Sequence, residues 1–231
     1  MKILITGNMG YIGPSVVKQL RASYPNAVIV GLDAGYFAHC LTNANILPES
    51  RLDAQIFLDI RKVTKEHLKG VDAIVNLAAI SNDIMGKIDE SLTLDVNFKA
   101  GVRMAALAKE CKVKSFVFAS SCSVYGFAEE GAKTEQSPVN PLTAYAKSKV
   151  STEKDLASLA SDTFTATCLR FATACGMSDR LRLDLVLNDF VAGALASKRI
   201  NILSDGTPWR PLIHVKDMAR AIHWAVQRDH R

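Results

Sequence analysis

The 231-residue sequence has no run that approaches the roughly 20 consecutive apolar residues required by a membrane-spanning helix. Its opening, MKILITG, passes directly into a glycine turn and lacks the charged start, apolar stretch and small-residue cleavage site of a secretory leader. Both absences point to a cytoplasmic protein without membrane contact. The five cysteines, Cys40, Cys111, Cys122, Cys168 and Cys175, include no CxxC pair and no histidine at ligand spacing. That pattern argues against a zinc site and against a disulfide framework, leaving reduced structural thiols and no expected metal. Lys and Arg outnumber Asp and Glu by 28 to 23, but the basic residues are interleaved with acids rather than gathered in a stripe. Nucleic acid is therefore not an expected partner, whereas a mildly positive cleft for a phosphorylated small molecule fits the charge. Internal repeats and low-complexity segments are also missing.

What is present is a chain that is 48% hydrophobic, enough to bury a substantial core. Short apolar runs rich in β-branched residues occupy residues 2–6, 27–32, 55–58, 73–77, 115–119 and 164–169. Between them, residues 12–24, 90–111 and 143–161 carry apolar side chains at helical spacing. This alternation predicts an α/β fold, a doubly wound parallel sheet with helices on both faces. Beyond Arg170 the texture changes to a loop over residues 172–180, a helix over 183–197, an extended piece ending at His214 and a last helix from Val215. The expected division is a first domain over residues 1–170 and a small, truncated region over 171–231 interleaved with the last elements of the sheet.

Four features carry chemistry. The run Thr6-Gly7-Asn8-Met9-Gly10-Tyr11-Ile12-Gly13 follows the first strand and opens the first helix, so backbone N–H groups can face a pyrophosphate. Glycine is needed there because a Cβ blocks the turn, the ligand or the packing of helix on sheet. Asp33 ends the second strand, where a carboxylate accepts hydrogen bonds from ribose hydroxyls and repels a 2′-phosphate; this favours NAD over NADP. Tyr145 and Lys149 stand four residues apart on a predicted helix and project from one face. A tyrosine with an ordinary pKa of about 10 becomes a usable base near neutrality beside an ammonium. Ser121, at the end of the fifth apolar run, can hydrogen-bond the oxygen whose proton the tyrosine takes. Each feature alone has a plain structural reading as a turn glycine, a loop-capping acid, a helix-surface pair or a strand-end serine.

Together, TGxxGxxG, Asp33, NLAA (Asn76 to Ala79), SSxxVYG (Ser120 to Gly126), YxxxK and RPLIHVKD (Arg210 to Asp217) resemble the extended short-chain dehydrogenase/reductase family across essentially the whole chain. Within it the chain resembles the NAD-dependent nucleotide-sugar epimerases and dehydratases, of the UDP-glucose 4-epimerase kind. The resemblance implies a Rossmann fold with NAD as cofactor and a catalytic trio of Ser121, Tyr145 and Lys149. It implies cofactor contacts at Gly7, Met9, Gly10, Tyr11, Ile12, Gly13, Asp33, Asp59, Ile60, Leu77, Ala78, Ala79, Asn97, Ala119, Tyr145 and Lys149. On the substrate side it implies Ser121, Cys122, Ser123, Thr173, Asn188 and Arg210, the last gripping a nucleotide diphosphate. Asp59 can also be read as a turn cap, Leu77 to Ala79 as a buried strand end, Asn97 as a helix-packing amide and Arg210 as a surface ion pair.

The resemblance further implies a homodimer through the helices at 90–111 and 143–161. Dehydratases of the family carry an acid pair where this sequence has Cys122 and Ser123, and galactose epimerases carry an asparagine at the position of Thr173. An epimerase is thus expected first, with a dehydratase or reductase as alternatives. The family normally continues past the helix that begins at Val215, with segments that close over the substrate. A chain ending at Arg231 leaves that side open to water, which makes a non-catalytic NAD-binding regulatory protein the rival reading.

Overall fold

The computed structural model describes residues 1–42, 44–81, 88–127, 131–207 and 209–228. Six strands, β1 (Lys2–Thr6), β2 (Val28–Asp33), β3 (Ala54–Phe57), β4 (Ala73–Asn76), β5 (Ser115–Ser121) and β6 (Thr165–Phe171), form one sheet. Their order is β3-β2-β1-β4-β5-β6, and every pairing is parallel. The chain therefore reverses its winding between β1 and β4, the switch point where a crevice opens at the carboxyl ends of a doubly wound sheet.

Burial on both faces explains the unbroken apolar texture of the strands. In β1, Ile3 and Ile5 point to one face and Leu4 to the other, and all three are buried. The Ile3/Ile5 face is covered by α1 (Gly13–Ser23), through Val16, Val17 and Leu20, and by α6 (Val215–Gln227), through Met218, Ala219, Ile222, Ala225 and Val226. The Leu4 face is covered by α3 (Ala100–Glu110), whose Ala100, Met104, Ala105 and Ala108 pack over Phe116 and Phe118, and by Leu156 of α4 (Ala144–Leu159). Thr143 caps α4 by accepting a 3.1 Å bond from the Ala146 N–H, and His214 caps α6 by accepting from Lys216 N–H at 3.1 Å.

The six sequence-predicted strands lie within two residues of those observed. Two differences stand out. The helix expected over 90–111 is α2 (Glu90–Leu94) joined to α3 through a π-helical turn, Asp95–Lys99. The segment 172–180, expected as a loop, contains β7 (Thr173–Cys175), which pairs in parallel with β8 (Leu212–His214). Three-residue strands carry too little periodicity to read in advance. Helix α5 (Val186–Ser197) starts three residues later than expected, and the end of the last predicted helix, residues 229–231, lies outside the described residues. No helix among the described residues is long and apolar enough to cross a membrane.

Candidate active site

The carboxyl ends of β1, β2, β4 and β5 bring most of the predicted residues to one edge. Gly7 leaves β1 at φ +71°, and a Cβ there would lie 2.6 Å from Ala78 N, so the glycine loop and the Leu77–Ala79 segment touch backbone to backbone. At Gly13 a Cβ would come within 2.0 Å of Asn8 O, which is how α1 closes onto the loop. Helix α1 begins after Ile12 with no side-chain cap; Pro14 has no N–H and Val16 N–H bonds Ile12 O, which leaves the N–H groups of Gly13 and Ser15 and the positive end of the helix dipole for an anion. Asp33 sits beside this loop: its Oδ2 accepts from Met9 N–H at 3.0 Å and its Oδ1 from Gly35 N–H at 2.8 Å. A carboxylate oxygen has two acceptor directions, so both oxygens can still receive a ribose hydroxyl. This glycine cradle, uncapped helix start and acid fit the pyrophosphate and adenosine ribose of a dinucleotide.

The remaining cofactor-side predictions divide. Leu77, Ala78 and Ala79 are partly exposed where the chain leaves β4, and Leu77 and Ala78 also pack against the core on either face of the sheet. Tyr11 turns its side chain inward: the phenol donates to Gly176 O at 2.6 Å and accepts from Asn188 Nδ2 at 3.0 Å, and burial pushes its pKa up. Tyr11 thus faces the loop edge with backbone only. Ile60 is buried in the core under the sheet, so it too offers a ligand nothing but backbone. Asp59 caps the turn Ile60–Lys62 through Arg61 N–H at 2.8 Å and is gripped by the Arg61 guanidinium at 2.6 Å, which holds its carboxyl below the usual range. Asn97 lies on the π-turn; its amide accepts from Ile80 N–H at 2.8 Å and donates to Ile80 O at 2.9 Å, fixing the segment after Ala79. For Asp59 and Asn97 the structural readings describe the observed bonds.

The predicted trio is divided between a strand end and a helix start. Ser121 is the last residue of β5 and its hydroxyl accepts from Ser123 N–H at 3.2 Å. Tyr145 occupies the first turn of α4, where the positive end of the helix dipole favours a phenolate. Lys149 is only 3% exposed; its ammonium donates to Ala119 O at 2.7 Å and lies 4.6 Å from the centroid of the Phe118 ring and 5.2 Å from that of Tyr145. Burial lowers its pKa from 10.5 to about 8. A poorly hydrated cation beside a phenol is the arrangement that stabilises phenolate.

On the substrate side, Cys122 is half-buried, and burial raises its thiol pKa against the opposing field of Arg210, which places that guanidinium nearby. Arg210 itself is exposed, and Thr173 joins the same corner through its N–H, which donates to Pro211 O at 3.0 Å. Asn188 is the correction here. It is 7% exposed and its amide is occupied by Gly176 N–H, the Tyr11 phenol and Arg182 O, so it braces the loop instead of lining the cleft. Sequence reasoning also missed Arg180, which is 2% exposed, ion-paired to Glu49 at 2.7 Å and bonded to Phe37 O at 3.2 Å. It ties the loop after Asp33 to the loop after β7. An arginine 131 residues from its partner leaves no local signal.

Residues 3–231 match the NAD dependent epimerase/dehydratase family, and the chain belongs to that family of extended short-chain dehydrogenase/reductase enzymes, with NAD as cofactor. Over its full length the chain is 31% identical to the uncharacterized UDP-glucose epimerase YtcB of Bacillus subtilis and covers 74% of it. It is 29% identical, over 95% of its own length and 68% of the relative's, to the dTDP-glucose 4,6-dehydratase of Streptomyces griseus. Among solved structures, MoeE5 in complex with UDP-glucuronic acid and NAD superposes with a TM-score of 0.85 at 28% identity, over the whole chain and 74% of MoeE5.

Proposed function

We propose that the chain is a nucleotide-sugar epimerase, in which one sugar hydroxyl is oxidised to a ketone and the same carbon is reduced again from its other face. The observation that carries this reading is the buried Lys149 ammonium 5.2 Å from the Tyr145 ring, on the helix whose first turn meets the Ser121 end of β5. Tyr145 takes the proton from the sugar hydroxyl and later returns it, Lys149 lowers the pKa of the phenol, and Ser121 hydrogen-bonds the reacting oxygen. NAD, when bound, supplies the acceptor and donor of hydride. The glycine loop from Gly7 to Gly13 holds its pyrophosphate, Asp33 its adenosine ribose and Lys149 its second ribose. Arg210, with a planar fork suited to phosphate oxygens, holds the diphosphate of the sugar nucleotide.

A dehydratase uses the same trio but needs an acid to release water from the neighbouring carbon. The Cys122 thiol, raised above its ordinary pKa by burial, and the Ser123 hydroxyl are both neutral near pH 7 and poor at that task. This favours the epimerase although relatives of both kinds are similar to the chain. A cytoplasmic homodimer built through the helices at 90–111 and 143–161 belongs to the same reading.

Incubation of the protein with UDP-glucose and a panel of UDP- and dTDP-sugars, followed by NMR of the products, tests it. Interconversion of epimers without net NADH is expected. A Tyr145→Phe variant is expected to retain NAD and lose turnover; full activity in that variant removes Tyr145 from its role, and inertness of the parent protein across the panel favours a cofactor-binding regulator.

A further inference from the structure

Behind the trio lies a second set of polar residues that its chemistry does not use directly. Glu153 follows Lys149 on α4 by one turn and Tyr145 by two, so the three side chains share a helix face. Its carboxylate accepts from the Ser120 hydroxyl and is clasped by Arg170 of β6, with Nη2 at 2.7 Å from Oε2 and Nε at 3.1 Å from each oxygen. The two side chains are 12% and 22% exposed, and Ser120 and Arg170 are register partners on adjacent strands. Arg170 Nη1 continues to the Tyr125 phenol at 2.9 Å and to Glu135 O at 3.3 Å.

Three successive residues of β5 are thus engaged one by one. Lys149 bonds the carbonyl of Ala119, Glu153 bonds the hydroxyl of Ser120, and the hydroxyl of Ser121, which accepts from Ser123 N–H, is the one assigned above to the reacting oxygen. Resting on the enzyme reading above, we propose that Glu153, clasped by Arg170, is a positioning residue: it sets how far along β5 helix α4 sits, hence where Tyr145 stands against Ser121, and its charge keeps Lys149 an ammonium.

A single bond between helix and strand lets the helix pivot about it. Two bonds, about 6 Å apart along the helix and about 3.3 Å apart along the strand, remove both pivot and slide. The charge argument follows from what surrounds Lys149. Facing it are Tyr145 and Glu153 from α4, the Phe118 ring and Ala119 carbonyl from β5, and Cys168 from β6. Burial pushes the Cys168 thiol up to about 12, so that group is neutral and Glu153 is left as the anion. Arg170 faces Glu153 and Cys168 from the far side.

Two variants separate the parts, with kcat and KM for the epimerised sugar nucleotide measured from pH 6 to 10. Glu153→Gln keeps one acceptor oxygen, which can serve the Ser120 hydroxyl and Arg170 Nε, gives up the acceptor for Arg170 Nη2 and carries no charge; the alkaline limb of kcat is expected to move down by about one pH unit with KM changed less than twofold. Ser120→Ala leaves the ion pair intact and cuts the link to β5; kcat is expected to fall about tenfold, with the alkaline limb unmoved. Wild-type kcat and an unmoved limb in both variants overturn the proposal and leave the epimerase standing. A loss in Glu153→Gln that is uniform in pH and matches a smaller folded fraction by circular dichroism overturns it in favour of plain stability, as does a rise in KM at constant kcat. Absence of turnover in the parent protein instead sinks the enzyme reading, and this proposal with it.

Discussion

Replacing Lys149 by methionine is expected to make the protein more stable at neutral pH while abolishing turnover. Burial holds the ammonium at a pKa of about 8 in place of 10.5. At about 1.4 kcal/mol per factor of ten, keeping it charged costs the folded state about 3 kcal/mol at pH 7. Methionine matches the stem of lysine and needs no hydration, so the substitution removes that penalty. Against this stands the loss of the bond to Ala119 O, about 1 to 2 kcal/mol including the carbonyl left without its donor. The net gain is about 1 to 2 kcal/mol, or roughly 4 °C in Tm for a chain of this size.

The pH dependence provides the sharper test. The folded pKa lies below the unfolded one, so between about pH 8 and pH 10.5 the unfolded chain binds more protons and the wild type gains stability as pH rises. The advantage of Lys149→Met is therefore full below about pH 8, shrinks through that window and reverses above it, where neutral lysine still donates to Ala119 O. Urea unfolding of both proteins at pH 7 and pH 10 measures this. A variant less stable than wild type at pH 7, or a difference that stays constant between the two pH values, refutes the reasoning.

Gly7→Ala is expected to lose NAD binding by calorimetry and to cost about 2 kcal/mol or more, because φ is +71° and the new Cβ meets backbone at Ala78 N, 2.6 Å away. Asp33→Ala removes the acceptor shared by Met9 and Gly35 N–H; NAD affinity should fall at least tenfold, with Tm lowered by a few degrees, and unchanged affinity would take Asp33 out of the ribose site. Arg180→Ala leaves Glu49 as a mostly buried, unpartnered charge and is expected to destabilise by about 3 to 5 kcal/mol in chemical unfolding, a loss below 1 kcal/mol showing that the clamp is idle.

The sheet was legible because a parallel strand buried on both faces writes itself as an uninterrupted apolar run, as in Ile3-Leu4-Ile5, and the intervening helices carry a different period. The placement of Ser121 at a strand end and of Tyr145 and Lys149 on one turn of a helix was legible because each is a local pattern. What escaped notice depends on partners far away in sequence. Tyr11 and Asn188 look like cleft residues until the fold sets them side by side across 177 positions, where each satisfies the other. Ile60 follows a strand like any groove residue, yet the turn capped by Asp59 points its side chain into the core. The π-turn at Asp95–Lys99 has no glycine or proline to announce it, and the two bonds that its Asn97 makes to the Ile80 backbone join positions 17 residues apart.

The buried lysine also bears on the choice between an enzyme and a mere holder of cofactor. Holding the pyrophosphate and adenosine ribose of a dinucleotide calls on the cradle of Gly7 to Gly13 and the acid at Asp33, and the ribose contact proposed for Lys149 does not in itself require the ammonium to be buried. Yet α4 inserts Lys149 between Phe118 and Tyr145 at a cost of about 3 kcal/mol, a sizeable share of the 5 to 15 kcal/mol by which domains are usually stable. Methionine at that position fills the same space without the penalty. On the reading proposed above, the fold carries that charge for what an ammonium 5.2 Å from the Tyr145 ring does to proton transfer, a use that the Gly7 to Gly13 cradle and Asp33 do not have.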